Sequence, residues 1–219
     1  MNAAALFNAA GEDWTVSNFE AVNFGAFVGD SSRMSRIAER IVTEAVRLGV
    51  KEVATVECGT AFRVMKQFIG PQPFNVVTFV ELIDRYLSEG RIRLDPGRIK
   101  DLTTYHDPCQ IARNAGVYEE PRRVLKAVAP NFVELTPNRQ ENWCCGGGGG
   151  LISLGELEFR MRSSRVKAEQ LKSSHARIVV TACENCHSQL SDLNEHYKLG
   201  MEVRFLSEVA ARALLPPGP

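Results

Sequence analysis

The chain has 219 residues, long enough to bury a substantial core in one large domain or two small ones. Its 26 basic residues are cancelled by 26 acidic ones, so no global field favours nucleic acid or an anionic membrane. No apolar run approaches the roughly 18 residues of a membrane span, and the opening MNAAALFNAAGEDW lacks the basic flank and apolar stretch of a secretory leader. A cytoplasmic location without membrane insertion is therefore expected, in a compartment that keeps thiols reduced.

In chain order, FGAFVGD reads as a short strand ending at Asp30, which is placed to cap the next helix. That helix lies in SSRMSRIAERIVTEAVRLG, where Met34, Ile37, Ile41, Ala45 and Leu48 recur at helical spacing and Gly49 supplies the stop. KEVATVE is a strand, GTAFRVMKQF a helix, FNVVTF a strand and VELIDRYLSEG a helix. The turn residues of DPGRIK mark a boundary near residue 98. Beyond it come the strand DLTTYH, helical segments to about Val128, the strand NFVELT and the loop NWCCGGGGG. A helix over 156–173, the strand RIVVTA, a helix from Cys183 to Tyr197, the strand MEVRF and a terminal helix complete the chain. This alternation predicts an α/β fold, parallel strands covered by helices.

An internal repeat refines the expectation. VKEVATVECGTAFRVMK lies on ARIVVTACENCHSQLSD without gaps, which sets Cys58 opposite Cys183 and Ala61 opposite Cys186. VVTFVELIDRYL then matches EVRFLSEVAARAL, and VNFG takes the place of WCCG. The chain reads as two related α/β units, 1–98 and 99–219, with pseudo-twofold symmetry, the first degenerate and incomplete at its start. Either a longer chain or a partner would complete that first unit.

Six cysteines in a reducing compartment point to metal or redox chemistry more than to disulfides. Five of them, Cys109, Cys144, Cys145, Cys183 and Cys186, fall in the second unit. A lone cysteine, an adjacent pair and a C-x-x-C pair do not match the two close pairs usual for four-thiolate zinc. Adjacent side chains diverge, so Cys144 and Cys145 suit different irons of a larger cluster. Gly146, Gly147 and Gly148 would then bring backbone N–H groups up to the cluster. CENCH also has the form of a haem-attachment sequence, and C-x-x-C between strand and helix that of a thioredoxin-like site. Both leave three cysteines unexplained. Five glycines without G-x-G-x-x-G spacing make a poor dinucleotide loop. Cys58 reads either as a small buried hydrophobe or as a second reactive thiol. His106, in YHDP, reads as a loop histidine or a proton donor, His175 and His196 as surface residues, and His187 as a continuation of its helix.

The order Cys109, Cys144-Cys145-Gly146, Cys183-x-x-Cys186 resembles the cysteine-rich CCG domain of heterodisulfide reductases. TYHDPCQIARN, NWCCGGGGGLI and the segment around CENCH are most similar to the carboxy-terminal part of DsrK-type subunits of membrane-associated sulfur-metabolising complexes. The resemblance implies that the five cysteines hold one non-cubane 4Fe–4S cluster at which disulfide-type bonds are cleaved or formed. It also implies a disulfide or trisulfide substrate on a DsrC-like sulfur carrier. From their positions, His106 beside the first ligand and Cys58 opposite Cys183 are the candidate catalytic groups. Electrons would come from other subunits of a membrane-associated complex, since the chain has no C-x-x-C-x-x-C-x-x-x-C-P run of its own. In the first unit Asn23 and Phe24 stand where the paired cysteines would lie, so a single cluster is expected. The alternative within the same family is an electron-relay subunit of a glycolate, lactate or glycerol-3-phosphate dehydrogenase.

Overall fold

The structure, a computed structural model, describes residues 2–17, 26 and 29–216. Most of the strand expected in FGAFVGD, with VNFG and its Asn23 and Phe24, lies outside the described residues. Helix α1 (Asn2–Ala9) buries Leu6 completely in the main core. Helix α2 (Ser31–Leu48) starts at Asp30, whose carboxylate accepts the Arg33 N–H at 2.8 Å, and stops at Gly49 in the left-handed conformation. Only Ala38, Ile41 and Ala45 of its apolar stripe are fully buried.

Strand β1 (Glu52–Thr55) leads into α3 (Gly59–Arg63), which loosens into a π-helical turn over Val64–Phe68. Strand β2 (Asn75–Thr78) pairs parallel to β1 and feeds α4 (Phe79–Ser88). A capping box holds that junction: Glu81 N–H donates to Thr78 Oγ1 at 3.1 Å, and Thr78 N–H donates back to Glu81 Oε2 at 2.7 Å.

The second half builds a four-stranded parallel sheet from β3 (Thr103–Tyr105), β4 (Phe132–Val133), β5 (Ile178–Thr181) and β6 (Glu202–Phe205), in the order β4-β3-β5-β6. Its helices are α5 (Glu120–Lys126), α6 (Leu157–Ser163), α7 (Arg165–Ser173), α8 (Glu184–His196) and α9 (Leu206–Arg212). The chain leaves β3 toward β4 on one side and β5 toward β6 on the other. The strand order therefore reverses between β3 and β5, the place where open α/β sheets form a ligand crevice at their carboxyl ends.

The expected α/β architecture is thus present, with two local differences. Residues 109–115, after Pro108, form successive turns and no regular helix, and the run ends at Gly116 with φ +77°. The helix expected over 156–173 is broken at Ser164 into α6 and α7. Ser164 is buried there, where its hydroxyl accepts from Gln189 Nε2 at 3.3 Å.

The repeat has a structural counterpart. β1–α3–β2–α4 and β5–α8–β6–α9 have the same order, and Cys58 and Cys183 hold the same N-cap position after β1 and β5. One core nevertheless crosses residue 98, joining Leu6, Phe79 and Ile83 to Val124, Ile178 and Val209. Two smaller clusters stay within one half each, one around Ile41, Phe62 and Val76 and one around Leu135, Val179 and Leu190.

Candidate iron–sulfur site

The thiols collect at that crevice. Cys109 follows β3 and Cys183 follows β5, and the two strands are held together past their ends by His106 N–H on Val180 O at 2.9 Å. Cys186 sits one turn into α8, and Cys144 and Cys145 arrive on the loop before α6. Cys145 Sγ and Cys186 Sγ are 3.4 Å apart. Charge coupling also links Cys109 with Cys144, Cys144 with Cys145 and Cys183 with Cys186. The five thiols therefore form one chain of neighbouring, interacting sulfurs. Cys145, Cys183 and Cys186 are buried, Cys109 is half-buried and Cys144 is exposed, so the pair diverges as adjacent side chains must.

The thiols differ sharply in acidity. The neighbouring Cys109 and Cys145 thiols, with the Gly146 N–H, bring the Cys144 thiol down to about 2. Donation to Cys144 pushes Cys145 up to about 12. The Cys186 thiol brings Cys183 down to about 6, helped by the N–H groups of Cys186, Gly59 and Asn185. Cys109 and Cys186, both donors, are raised. Two acidified thiols, Cys144 at the opening and Cys183 in the interior, among three further sulfurs offer the soft donors that a cluster requires, and the donor set fits an iron–sulfur cluster.

The glycines divide into three kinds. Gly146 (φ +87°) and Gly147 direct their N–H groups to Cys144 Sγ and Cys145 Sγ, each at 3.4 Å. A β-carbon on Gly147 would lie 2.7 Å from Gln189 Cβ and 2.9 Å from Asn185 O, whereas one on Gly148 would meet nothing within 4 Å. Gly147→Ala is therefore expected to cost about 1–3 kcal/mol through overpacking against α8, and Gly148→Ala to cost little. Urea denaturation of the two variants measures this, and equal stabilities would remove the close approach as the reason for Gly147.

Cys58 stands at the edge of this group. Its Sγ accepts the Ala61 N–H at 3.4 Å, and its thiol is raised by burial first and by the Cys183 charge as a smaller effect. Glu184 N–H donates to Glu57 O at 2.6 Å, so the turn after β1 clamps the start of α8. His106 is fully buried, and a ring nitrogen lies with Cys145 Sγ and Cys186 Sγ within 4.8 Å of one another. Burial, and then the Lys167 charge, hold the imidazole well below its usual pKa. Of the other histidines, His175 and His196 are exposed, and His187 stacks on Phe205 with ring centroids 4.1 Å apart.

Sequence patterns missed the polar layer beneath the thiols. Arg122 forms a bidentate pair with Asp107 (2.8 and 2.9 Å), and its Nε also meets Glu134 at 2.7 Å. Asp107 also accepts the Arg139 N–H at 2.8 Å, tying the Cys109 turn to the loop that carries Cys144. Lys167, fully buried on α7, donates to Asn142 Oδ1 at 2.8 Å and to Gln170 Oε1. Burial brings its ammonium down to about 7, and the nearby cysteines and Asp107 oppose that shift.

Comparison with known proteins agrees with this location. The family described as CCG, cysteine-rich domain, matches residues 103–191, which include all five thiols. The chain is 27% identical over 245 residues to the Hdr-like menaquinol oxidoreductase iron-sulfur subunit of Archaeoglobus profundus, covering 92% of this chain and 44% of that protein. It is 30% identical over 210 residues to a subunit of the dihydromethanophenazine:CoB–CoM heterodisulfide reductase of Methanosarcina barkeri, covering 93% and 50%. A probable iron-sulfur-binding oxidoreductase, FadF, of Bacillus subtilis is 27% identical over 195 residues, covering 86% and 27%. The chain spans about half the length of the curated heterodisulfide-reductase-type relatives it matches. Among the described residues, no helix is long and apolar enough to cross a membrane.

Proposed function

Residues 103–191 belong to the cysteine-rich CCG domain family, and from that premise we propose that the chain is the iron–sulfur portion of a heterodisulfide reductase-like oxidoreductase. Its substrate is a disulfide or trisulfide on a DsrC-like sulfur carrier. Cys109, Cys144, Cys145, Cys183 and Cys186 hold one non-cubane 4Fe–4S cluster. When bound, such a cluster supplies single electrons and a soft metal site for sulfur. The observation that carries the reading is the gathering of five interacting thiols at the β3/β5 crevice, with Cys145 and Cys186 in contact and buried and Cys144 exposed.

The protein's own groups divide the remaining work. Gly146 and Gly147 donate N–H groups to the thiolates of the pair and spread their charge. His106 is enclosed on the inner side with Cys145 and Cys186, so it keeps a proton next to sulfur and away from water. Cys58, in the N-cap position that mirrors Cys183, is the nearest additional thiol for a substrate sulfur entering from the β1 side. Reducing a disulfide takes two electrons and two protons and yields two thiols. The electrons come from partner subunits of a complex that holds this chain peripherally at the inner membrane. Exposed Trp143, Leu154, Leu157 and Phe159, on segments flanking the paired cysteines, suit docking of a protein carrier.

Anaerobic protein is expected to hold about four irons with matching acid-labile sulfide. A carrier bearing a disulfide or trisulfide should perturb the paramagnetic spectrum, and its thiol-blocked form should do so less. One zinc with no labile sulfide would overturn the cluster assignment. An unchanged spectrum despite measured binding would move the site to electron relay.

A further inference from the structure

The groups beneath the thiols are ordered by a rule of hydrogen-bond polarity. Lys167 Nζ donates to Asn142 Oδ1 at 2.8 Å and to Gln170 Oε1, two bonds that the ammonium and the neutral amine can both make, so the amide atom facing it is the oxygen. The other amide atom is then the nitrogen, which carries two hydrogens. It donates one to Asp107 O at 2.8 Å and turns the other to His106 Nδ1 at 3.3 Å. A donor facing Nδ1 requires a lone pair there, and a neutral imidazole with its lone pair on Nδ1 carries its proton on Nε2. Nε2 is buried and has no partner among the described protein groups, while the ring borders Cys145 Sγ and Cys186 Sγ. A buried N–H without an acceptor costs about 1–3 kcal/mol, and since no thiol accepts it in the described structure, the acceptor would be a sulfur brought by a cluster bound beside Cys145 and Cys186.

We propose that Lys167 and Asn142 form a positioning relay that fixes His106 as the Nε2–H tautomer, so that His106 donates a hydrogen bond to the sulfurs of the site and does not act as a nitrogen ligand. Lys167 sets the amide orientation, Asn142 transmits it and His106 delivers the donor. A hydrogen bond to a cluster's sulfur favours its reduced, more negative state and raises its potential. The relay rests on the iron–sulfur reading of the five thiols, but it specifies something that reading leaves open: which histidine nitrogen carries the proton, and which side chains decide it.

The test is nitrogen NMR of histidine-labelled, cluster-free protein, with the His106 resonance assigned by its loss in His106→Gln. The wild type should show neutral imidazole protonated at Nε2. Asn142→Asp places a carboxylate between Lys167 and Nδ1, where it accepts from both, so the proton should shift to Nδ1. In reconstituted protein the midpoint potential should fall in His106→Phe and in Asn142→Asp, and His106→Gln, which keeps a donor, should recover part of the loss. Wild-type His106 protonated at Nδ1, or found as imidazolium, overturns the relay even if the Asn142 variant fails to fold. An unchanged potential in His106→Phe overturns the donor role. Because the tautomer is read without a cluster or substrate, failure to act on a sulfur carrier would sink the proposed function and leave the relay standing.

Discussion

Serine in place of Cys145 is expected to remove most of the iron while leaving the fold in place. Cys145 is the middle of the sulfur chain: it meets Cys144 on one side and Cys186 at 3.4 Å on the other, and it receives the Gly147 N–H. It is 2% exposed, so no solvent ligand can replace it without opening the pocket. A hydroxyl is a harder and less acidic ligand than a thiol, and the shorter side chain falls back from the position of the sulfur. Cys58→Ser should behave in the opposite way. Cys58 caps α3 through its own sulfur, and serine is a preferred residue at an N-cap, so this variant should keep its iron and its stability. Iron and labile sulfide per chain, with circular dichroism as the fold control, separate the two. Equal iron loss in both variants would place Cys58 among the ligands, as its alignment with Cys183 permits.

Much of the fold was readable because its strands are short, β-branched and punctuated. β5 and the C-x-x-C after it, the Asp30 cap and the Gly49 stop all stand where the pattern puts them. The misplaced features have local causes that a one-dimensional pattern does not carry. Helical periodicity continues through Ser164, but the chain breaks there, where the buried Ser164 side chain packs against Gly146 and accepts from Gln189. Pro108 is as acceptable in a turn as in a first helical position, and the residues after it turn to bring Cys109 back to Cys144. Lys167 lies in RVKAEQLKS, among residues that read as a solvated face. One partner, Gln170, is on its own helix, but the other, Asn142, arrives from the loop before the paired cysteines, so spacing alone gave no sign of its burial. The glycine run announced a site, but its sequence could not distinguish Gly147, pressed on α8, from Gly148, which faces open space.

The largest stability effect should come from Arg122, which touches none of the five thiols. Its side chain is 1% exposed and joined to Asp107, whose side chain is fully buried, while Glu134 is only half-buried. Burial disfavours the guanidinium charge, but the two carboxylates more than offset this and hold its pKa above the usual value. The Tyr105 ring lies 5.6 Å from the guanidinium carbon, and Tyr118 O accepts from Nη1 at 2.6 Å. Replacing both members of such a pair with apolar groups can be nearly neutral, but removing one leaves a charge stranded, at a cost of about 3–5 kcal/mol. Arg122→Met is therefore expected to lose that much in urea denaturation, and Arg122→Met with Asp107→Asn to recover part of it, because the neutral amide can still accept the Arg139 N–H. A cost under about 1 kcal/mol for the single variant, in the range of a surface ion pair, would mean that water reaches Asp107. The stranded carboxylate should also reach the site. Asp107 lies between His106 and Pro108, its backbone oxygen accepts from Asn142, and its side chain secures the start of the loop that carries Cys144 and Cys145. Arg122→Met should therefore release iron at lower urea concentrations than it unfolds the sheet, whereas loss of iron and fold together would show that the network serves the core alone.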